Sequence, residues 1–182
     1  MLERQLPCKL LVDDREHPWL LSEFTKRGAT VKRIEEADYV WEANGKLCLI
    51  QRKSVADIVQ SIKDSSIGPQ SIISLQQGAA LVFFLLELEQ GKLDTSVLGY
   101  MRINGKVSHF SLISFLNFLT SLQRYGFLLH LSPDLSATPD IIQGLMSYTL
   151  ERMHSSIYRP VQKLKDAPAT FSTLLTIPGV SI

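Results

Sequence analysis

The chain predicts an α/β fold: a mixed central β-sheet of about five or six strands, flanked by helices on both faces and running from residue 8 to about residue 157. Three observations carry that expectation. Short apolar runs alternate with segments whose apolar residues recur at helical spacing. Asn44-Gly45, the preferred pair for a type I′ hairpin turn, separates "DYVWEA" from "KLCLIQR". The run "ALVFFLLE" is apolar up to its final residue, as in a strand buried on both faces.

In chain order, "CKLLVD" is a buried strand that ends in charge. "HPWLLSEFTKRG" is a helix by the spacing of Trp19, Leu20 and Phe24, stopped at Gly28. "ATVKRIE" is the next strand, and the hairpin follows. In "SVADIVQSIKD" the residues Val55, Ile58, Val59 and Ile62 share a helical face behind Ser54 as N-cap. "GPQSIISLQQG" reads as a short helix before the apolar strand. Residues 90–106 have weak patterning and three glycines, and read as mostly loop. "HFSLISFLNFLTSLQRYG" is an amphipathic helix and "FLLHLS" a strand. A helix opening at Thr138-Pro139 is expected to reach Ile157. The chain divides into a domain over residues 1–157, then residues 158–182, a proline-bearing linker followed by the start of a new motif, "FSTLLTIPGVSI".

Composition sets limits on function. With 182 residues, 45% hydrophobic and 20% charged, the chain can bury a core, and it is not a disordered tail. A formal net charge of +1 offers no global attraction for a polyanion, so any nucleic-acid contact must rest on a local patch. Cys8 and Cys48 match no zinc spacing and read as reduced core cysteines of an intracellular protein. No signal peptide opens the chain, and no run is long enough to span a membrane. A small-molecule enzyme on a doubly wound sheet lacks its glycine-rich phosphate loop. His17, His109, His130 and His154 show no ligand or triad spacing.

The residues with chemistry sit around the hairpin. Facing positions across an Asn44-Gly45 turn have numbers that sum to 89 (44 + 45), which sets Asp38 opposite Gln51. Gln51 and Lys53 are two apart and emerge on one face. Asp13 ends the first strand and can join them if that strand lies alongside. Hard oxygen ligands and a lysine are the parts of metal-assisted phosphodiester cleavage. Taken alone, the arrangement is a weak signal, equally compatible with a solvated strand end.

Residues 8 to about 90, and the remainder by order of elements, resemble the nuclease domain of the XPF/FANCM-type structure-specific endonucleases. Val12, Asp13, Arg15 and Glu16 match one family segment, Asp38 and Tyr39 the next, and Arg52, Lys53 and Asp57 the third, with Ser61 and Ile62 in register. The strand closing on Glu87 and the terminal "FSTLLTIPGV" resemble later family elements, the latter the opening of a helix-hairpin-helix. The resemblance implies a restriction-endonuclease-like fold and a role on branched or junction DNA in repair or recombination. It also implies a magnesium or manganese ion held by Asp13, Asp38 and Gln51, with Lys53 completing the catalytic set. Arg15, Arg52, Lys63 and, in the Pro-Gly turn, Gly179 are its implied DNA contacts. Pairing as a homodimer or with a related nuclease-fold subunit is implied as well, as is a nuclear location in a eukaryote. The apolar richness of the helices around residues 111–123 and 138–157 is the expected dimer surface.

Departures from the family qualify these expectations. Gln51 stands where the family has glutamate, Ala37 where it has glycine, and Ser65-Ser66 where it has Gly-Arg, while Gln70 still matches. An amide oxygen carries no charge and competes poorly with water for magnesium. A lone engineered change at Gln51 does not explain the missing arginine, so the pattern reads as natural degeneration. Two functions therefore compete: an endonuclease-family domain with weak or absent cleavage, and a non-catalytic DNA-binding subunit that positions an active partner.

Overall fold

A computed structural model of the chain describes residues 5–63, 81–88, 93–97, 100–103 and 106–151. Six strands form the main sheet in the order β2-β1-β3-β4-β5-β9. They are β1 (Leu10–Asp13), β2 (Thr30–Lys32), β3 (Tyr39–Ala43), β4 (Lys46–Ser54), β5 (Leu81–Glu87) and β9 (Leu128–Ser132). The pairs β1–β3 and β3–β4 run antiparallel, while β1–β2, β4–β5 and β5–β9 run parallel. The sheet is mixed, as the sequence predicts.

Alternation along the strands divides the side chains between two cores. On one face Leu10, Trp41, Ile50, Phe83 and Leu85 meet Leu20 and Phe24 of α1 (Pro18–Lys26) and Ile142, Leu145 and Met146 of α4 (Thr138–Leu150). On the other, Leu49, Val82, Phe84 and Leu86 meet α2 (Val55–Lys63) and Phe115, Leu119 and Leu122 of α3 (Leu112–Arg124). Each such side chain, fully buried, stabilises the fold by about 1.5–3 kcal/mol. Ile142, Leu145 and Met146 of α4 are therefore core, while Ile113 and Leu116 of α3 and Tyr148 of α4 are exposed among the described residues.

Residues 90–106, expected to be mostly loop, contain strands instead. β6 (Leu93–Val97), β7 (Tyr100–Ile103) and β8 (Lys106–Ser111) form a separate antiparallel sheet in sequence order. Its strands are four to six residues long and interleave polar with apolar residues irregularly, so the period-two signal never accumulates. Register shifts in both strand pairs disturb the alternation further. The expected helix over "GPQSIISLQQG", residues 152–157 of the expected long helix, and the linker with its helix-hairpin-helix opening lie outside the described residues. Among the described residues, no helix is long and apolar enough to cross a membrane.

The hairpin turn also closes a helix. Asn44 (φ +53°) and Gly45 (φ +73°) take the left-handed conformations that a type I′ turn needs. The Asn44 side-chain amide then donates to the carbonyls of Thr149 (3.0 Å) and Leu150 (3.4 Å) at the end of α4. Trp41 Nε1 donates to Thr149 Oγ1 at 2.9 Å in the same place. Asn44→Gly keeps the turn but loses that cap, and is expected to destabilise the domain by about 1 kcal/mol in a urea titration.

Candidate functional site

The hairpin register places the site. Tyr39 pairs with Ile50 and Val40 with Leu49, so facing residues share the predicted sum of 89 (39 + 50, 40 + 49). One step beyond, the Asp38 N–H donates to the Ile50 carbonyl at 3.0 Å, and the Asp38 carbonyl accepts the Asp13 N–H at 2.8 Å. The Asp38 carboxylate continues the ladder by accepting the Arg52 N–H at 2.6 Å. Asp38 thus joins β1 to β4 through both main chain and side chain.

Beside it lies a small recess of about 130 Å³, lined by Arg15, Glu35, Ala37, Asp38, Gln51, Arg52 and Lys53. A neighbouring hollow of about 310 Å³ has an apolar floor of Leu11, Val40, Leu47 and Leu49. That larger space is also lined by Lys32, Arg33, Glu35 and Glu36, but Asp38, Gln51 and Lys53 come together only at the recess. Of the residues expected to act together, Asp38, Gln51 and Lys53 share the recess with Arg15. Asp13 lies behind it, not among the lining residues.

The reason is charge pairing. Asp13 Oδ1 accepts the Arg15 main-chain N–H at 2.7 Å and Nε at 2.9 Å, while Oδ2 accepts an Arg15 terminal amino group at 2.7 Å and the Ile34 N–H at 3.2 Å. The same amino group of Arg15 also donates to the Ile34 carbonyl. These bonds favour the ionised acid, chiefly the Arg15 side-chain bond against the opposing effect of burial, and bring its pKa down to about 2. The Arg15 side chain as a whole keeps about half of its surface exposed, and Arg15 is among the residues lining the recess.

Asp38 is shifted the opposite way. Burial, then the negative charge of Glu16, push its pKa up to about 6, and the Arg52 N–H with the Arg52 and Lys53 charges offset only part of this. Gln51 uses its amide nitrogen to donate to the Glu36 carbonyl at 3.3 Å, a bond that a glutamate could not make. Lys53 forms no ion pair with a described residue.

Arg52 points to the opposite side of β4, as strand alternation requires. Its Nε and one terminal amino group reach Glu16 Oε2 at 3.1 and 3.0 Å, and the other amino group reaches Glu87 Oε2 at 2.8 Å. Glu87 also accepts from Thr138 Oγ1 at 3.3 Å, and Thr138 is within 3.0 Å of Ser132 Oγ. Sequence reasoning noticed Glu16 and Glu87 but gave them no role. The available signal was an acid closing an otherwise apolar strand, since such a group needs a cationic partner. Nearby, the Tyr39 hydroxyl is buried and has no hydrogen-bond partner among the described residues; burial, then Glu16, raise its pKa. Asp57, the last match of the third segment, is a helix cap: its N–H donates to Ser54 Oγ at 3.1 Å, and the hydroxyl donates back to Asp57 Oδ2 at 2.8 Å. Lys63 ends α2, while its side chain and Gly179 lie outside the described residues.

The donor set does not fit a divalent cation. Asp13 is fully engaged by Arg15 and Ile34, and Gln51 contributes at most one neutral oxygen, leaving Asp38 and Glu35, the latter 3.6 Å from Arg33, as the carboxylates that line the recess. Among the described residues, no group of three His, Cys, Asp or Glu side chains is placed to hold a metal.

The fold and recess define a class: a mixed α/β sheet with an acid, an amide and a lysine gathered on neighbouring strand ends. No protein-family model and no curated protein matches the chain. Solved structures do. XPF from Aeropyrum pernix in complex with DNA superposes with a TM-score of 0.55 at 21% identity, over 96% of this chain and 76% of that one. A second structure of XPF from Aeropyrum pernix gives 0.56 at 20% identity, over 95% of this chain and 75% of that one. The chain has the fold of these XPF structures.

Proposed function

We propose that this domain grips branched DNA at the recess formed by Arg15, Gln51 and Lys53, and that it cleaves that DNA very weakly or not at all. The observation that carries the reading is the pairing state of the acids: Asp13 is committed to Arg15, and an amide stands at residue 51. Magnesium or manganese would find too few anionic oxygens there, while a phosphodiester would meet the half-exposed Arg15 side chain and a Lys53 ammonium that pairs with no acid among the described residues. The likeness in fold to an XPF solved with DNA supports nucleic acid as the ligand.

Fluorescence anisotropy on a labelled junction, beside a magnesium-supplemented cleavage gel, tests the proposal. Binding without strand scission is expected. Lys53→Ala should weaken binding and lower the slope of log affinity against log salt by about 0.9. Robust magnesium-dependent cutting by the unmodified chain overturns the proposal.

An exposed surface favours a second reading, that of a DNA-binding subunit that works in a pair. Ile113 and Leu116 of α3, Tyr125 just after it, and Leu131 of β9, which shares the sheet face that α3 covers, are exposed. The stretch from Leu112 to Ser132 carries one formal charge, at Arg124. Depletion of charge around exposed apolar side chains is a mark of interface cores. Sedimentation equilibrium decides it: Leu116→Asp with Leu131→Asp should convert a dimer to monomer, and a wild-type chain monomeric at high concentration excludes self-pairing.

A further inference from the structure

We infer that Arg52 is a positioning residue, holding Gln51 and Lys53 at the recess from behind the strand, and that it is not itself a contact to the DNA backbone. The inference rests on the DNA-binding reading of the recess. Three observations carry it. Neighbouring residues on a strand project to opposite faces, and although Arg52 is among the residues lining the recess, its guanidinium is turned from Gln51 and Lys53 toward Glu16 and Glu87. The guanidinium fork is already spent: Nε and one amino group on Glu16, the other amino group on Glu87. Its side chain is 16% exposed, and those of Glu16 and Glu87 are 6% and 7% exposed. One guanidinium between two carboxylates also leaves the cluster with a formal charge of −1, which repels a phosphate.

The cluster is placed to set geometry. Glu16 follows Arg15 in the loop between β1 and α1, and Glu87 closes β5 beside the start of α4, where Thr138 donates to it. The Arg52 N–H meanwhile orients the Asp38 carboxylate at 2.6 Å. One arginine thereby ties the loop that presents Arg15 to the strand that presents Lys53. A lysine cannot bridge both acids, because it carries a single ammonium in place of a planar fork.

The test uses the full chain and Arg52→Lys, with junction DNA affinity measured across a salt series well below the melting temperature. A positioning role predicts affinity weaker by about fivefold with the salt slope unchanged. A slope lower by about 0.9 in Arg52→Gln, which removes the charge that lysine keeps, would make Arg52 a backbone contact and overturn the inference. Affinity and slope both as in wild type, with only the melting temperature lowered, would also overturn it, because the residue would then be purely structural. Nitrogen-15 spectra of the arginine Nε–H groups provide an arm that needs no DNA. Slow solvent exchange at the Arg52 Nε–H, which donates to Glu16, is expected and should be lost in Glu16→Ala, and fast exchange in the wild type refutes the buried bridge. If the wild-type chain binds no DNA while Arg52 exchanges slowly, the reading of the recess fails and the bridge stands.

Discussion

Arg52→Met is expected to destabilise the domain by about 3–5 kcal/mol at neutral pH, the range found when one member of a buried ion cluster is removed. The lost attraction is only part of this. Glu16 and Glu87 would remain in a place shielded from water, two like charges with their shared cation gone. Urea titration of the variant measures the effect. Adding Glu16→Gln and Glu87→Gln to Arg52→Met should recover most of it, since neutral groups of similar shape leave no uncompensated charge. A single variant within about 1 kcal/mol of wild type would mean that the bridge is open to solvent, where such pairs contribute little.

Asp38→Asn is expected to stabilise the domain above pH 7 and to leave it nearly unchanged at pH 4. The sign follows from linkage. The folded-state pKa of about 6 lies above the ordinary value of 3.8, so between these the folded state holds a proton that the unfolded state has released. Stability contributed by the acid form therefore falls as pH rises through that window, and a constant penalty remains above it. A shift of this size corresponds to something on the order of 2 kcal/mol after allowance for the partial exposure of Asp38. Asparagine escapes the penalty, and its oxygen can still accept the Arg52 N–H. Thermal melts at pH 4, 5.5 and 7.5 check the prediction, which fails if the variant gains nothing at pH 7.5. Asp13 offers the contrast. Its pKa of about 2 lies below the ordinary value, so its pair with Arg15 stabilises above pH 3.8 and is lost as pH falls through 2.

Ionisation of Asp38 therefore lowers stability, whereas ionisation of Asp13 adds to it. The two acids read alike in the sequence, each closing or opening a strand, and differ only in what the tertiary structure sets beside them. Asp13 received the arginine two residues away, whereas Asp38 received Glu16 and a buried place between two strands.

The main sheet was legible because its signals are local and repeated. Asn44-Gly45 admits one tight turn, and that turn sets the register for every pair out to Asp38 and Gln51. The uninterrupted apolar run of β5 and the helical spacing of Val55, Ile58 and Val59 likewise declare themselves within a few residues. The second sheet was illegible for the opposite reason, since its strands are short and its register shifts twice.

The sequence by itself determined the element order of the main sheet, the hairpin register, and the gathering of Asp38, Gln51 and Lys53 at adjoining strand ends. Only the tertiary structure decided which charges remain available there. Periodicity governs neighbours along the chain, but ion pairing depends on distances between segments far apart in it. Arg52 meets Glu16 across 36 positions and Glu87 across 35, and no local pattern records such a meeting. The low dielectric of the interior then amplifies each pairing, so that two arginines of similar appearance become a solvent-facing fork at Arg15 and a buried bridge at Arg52.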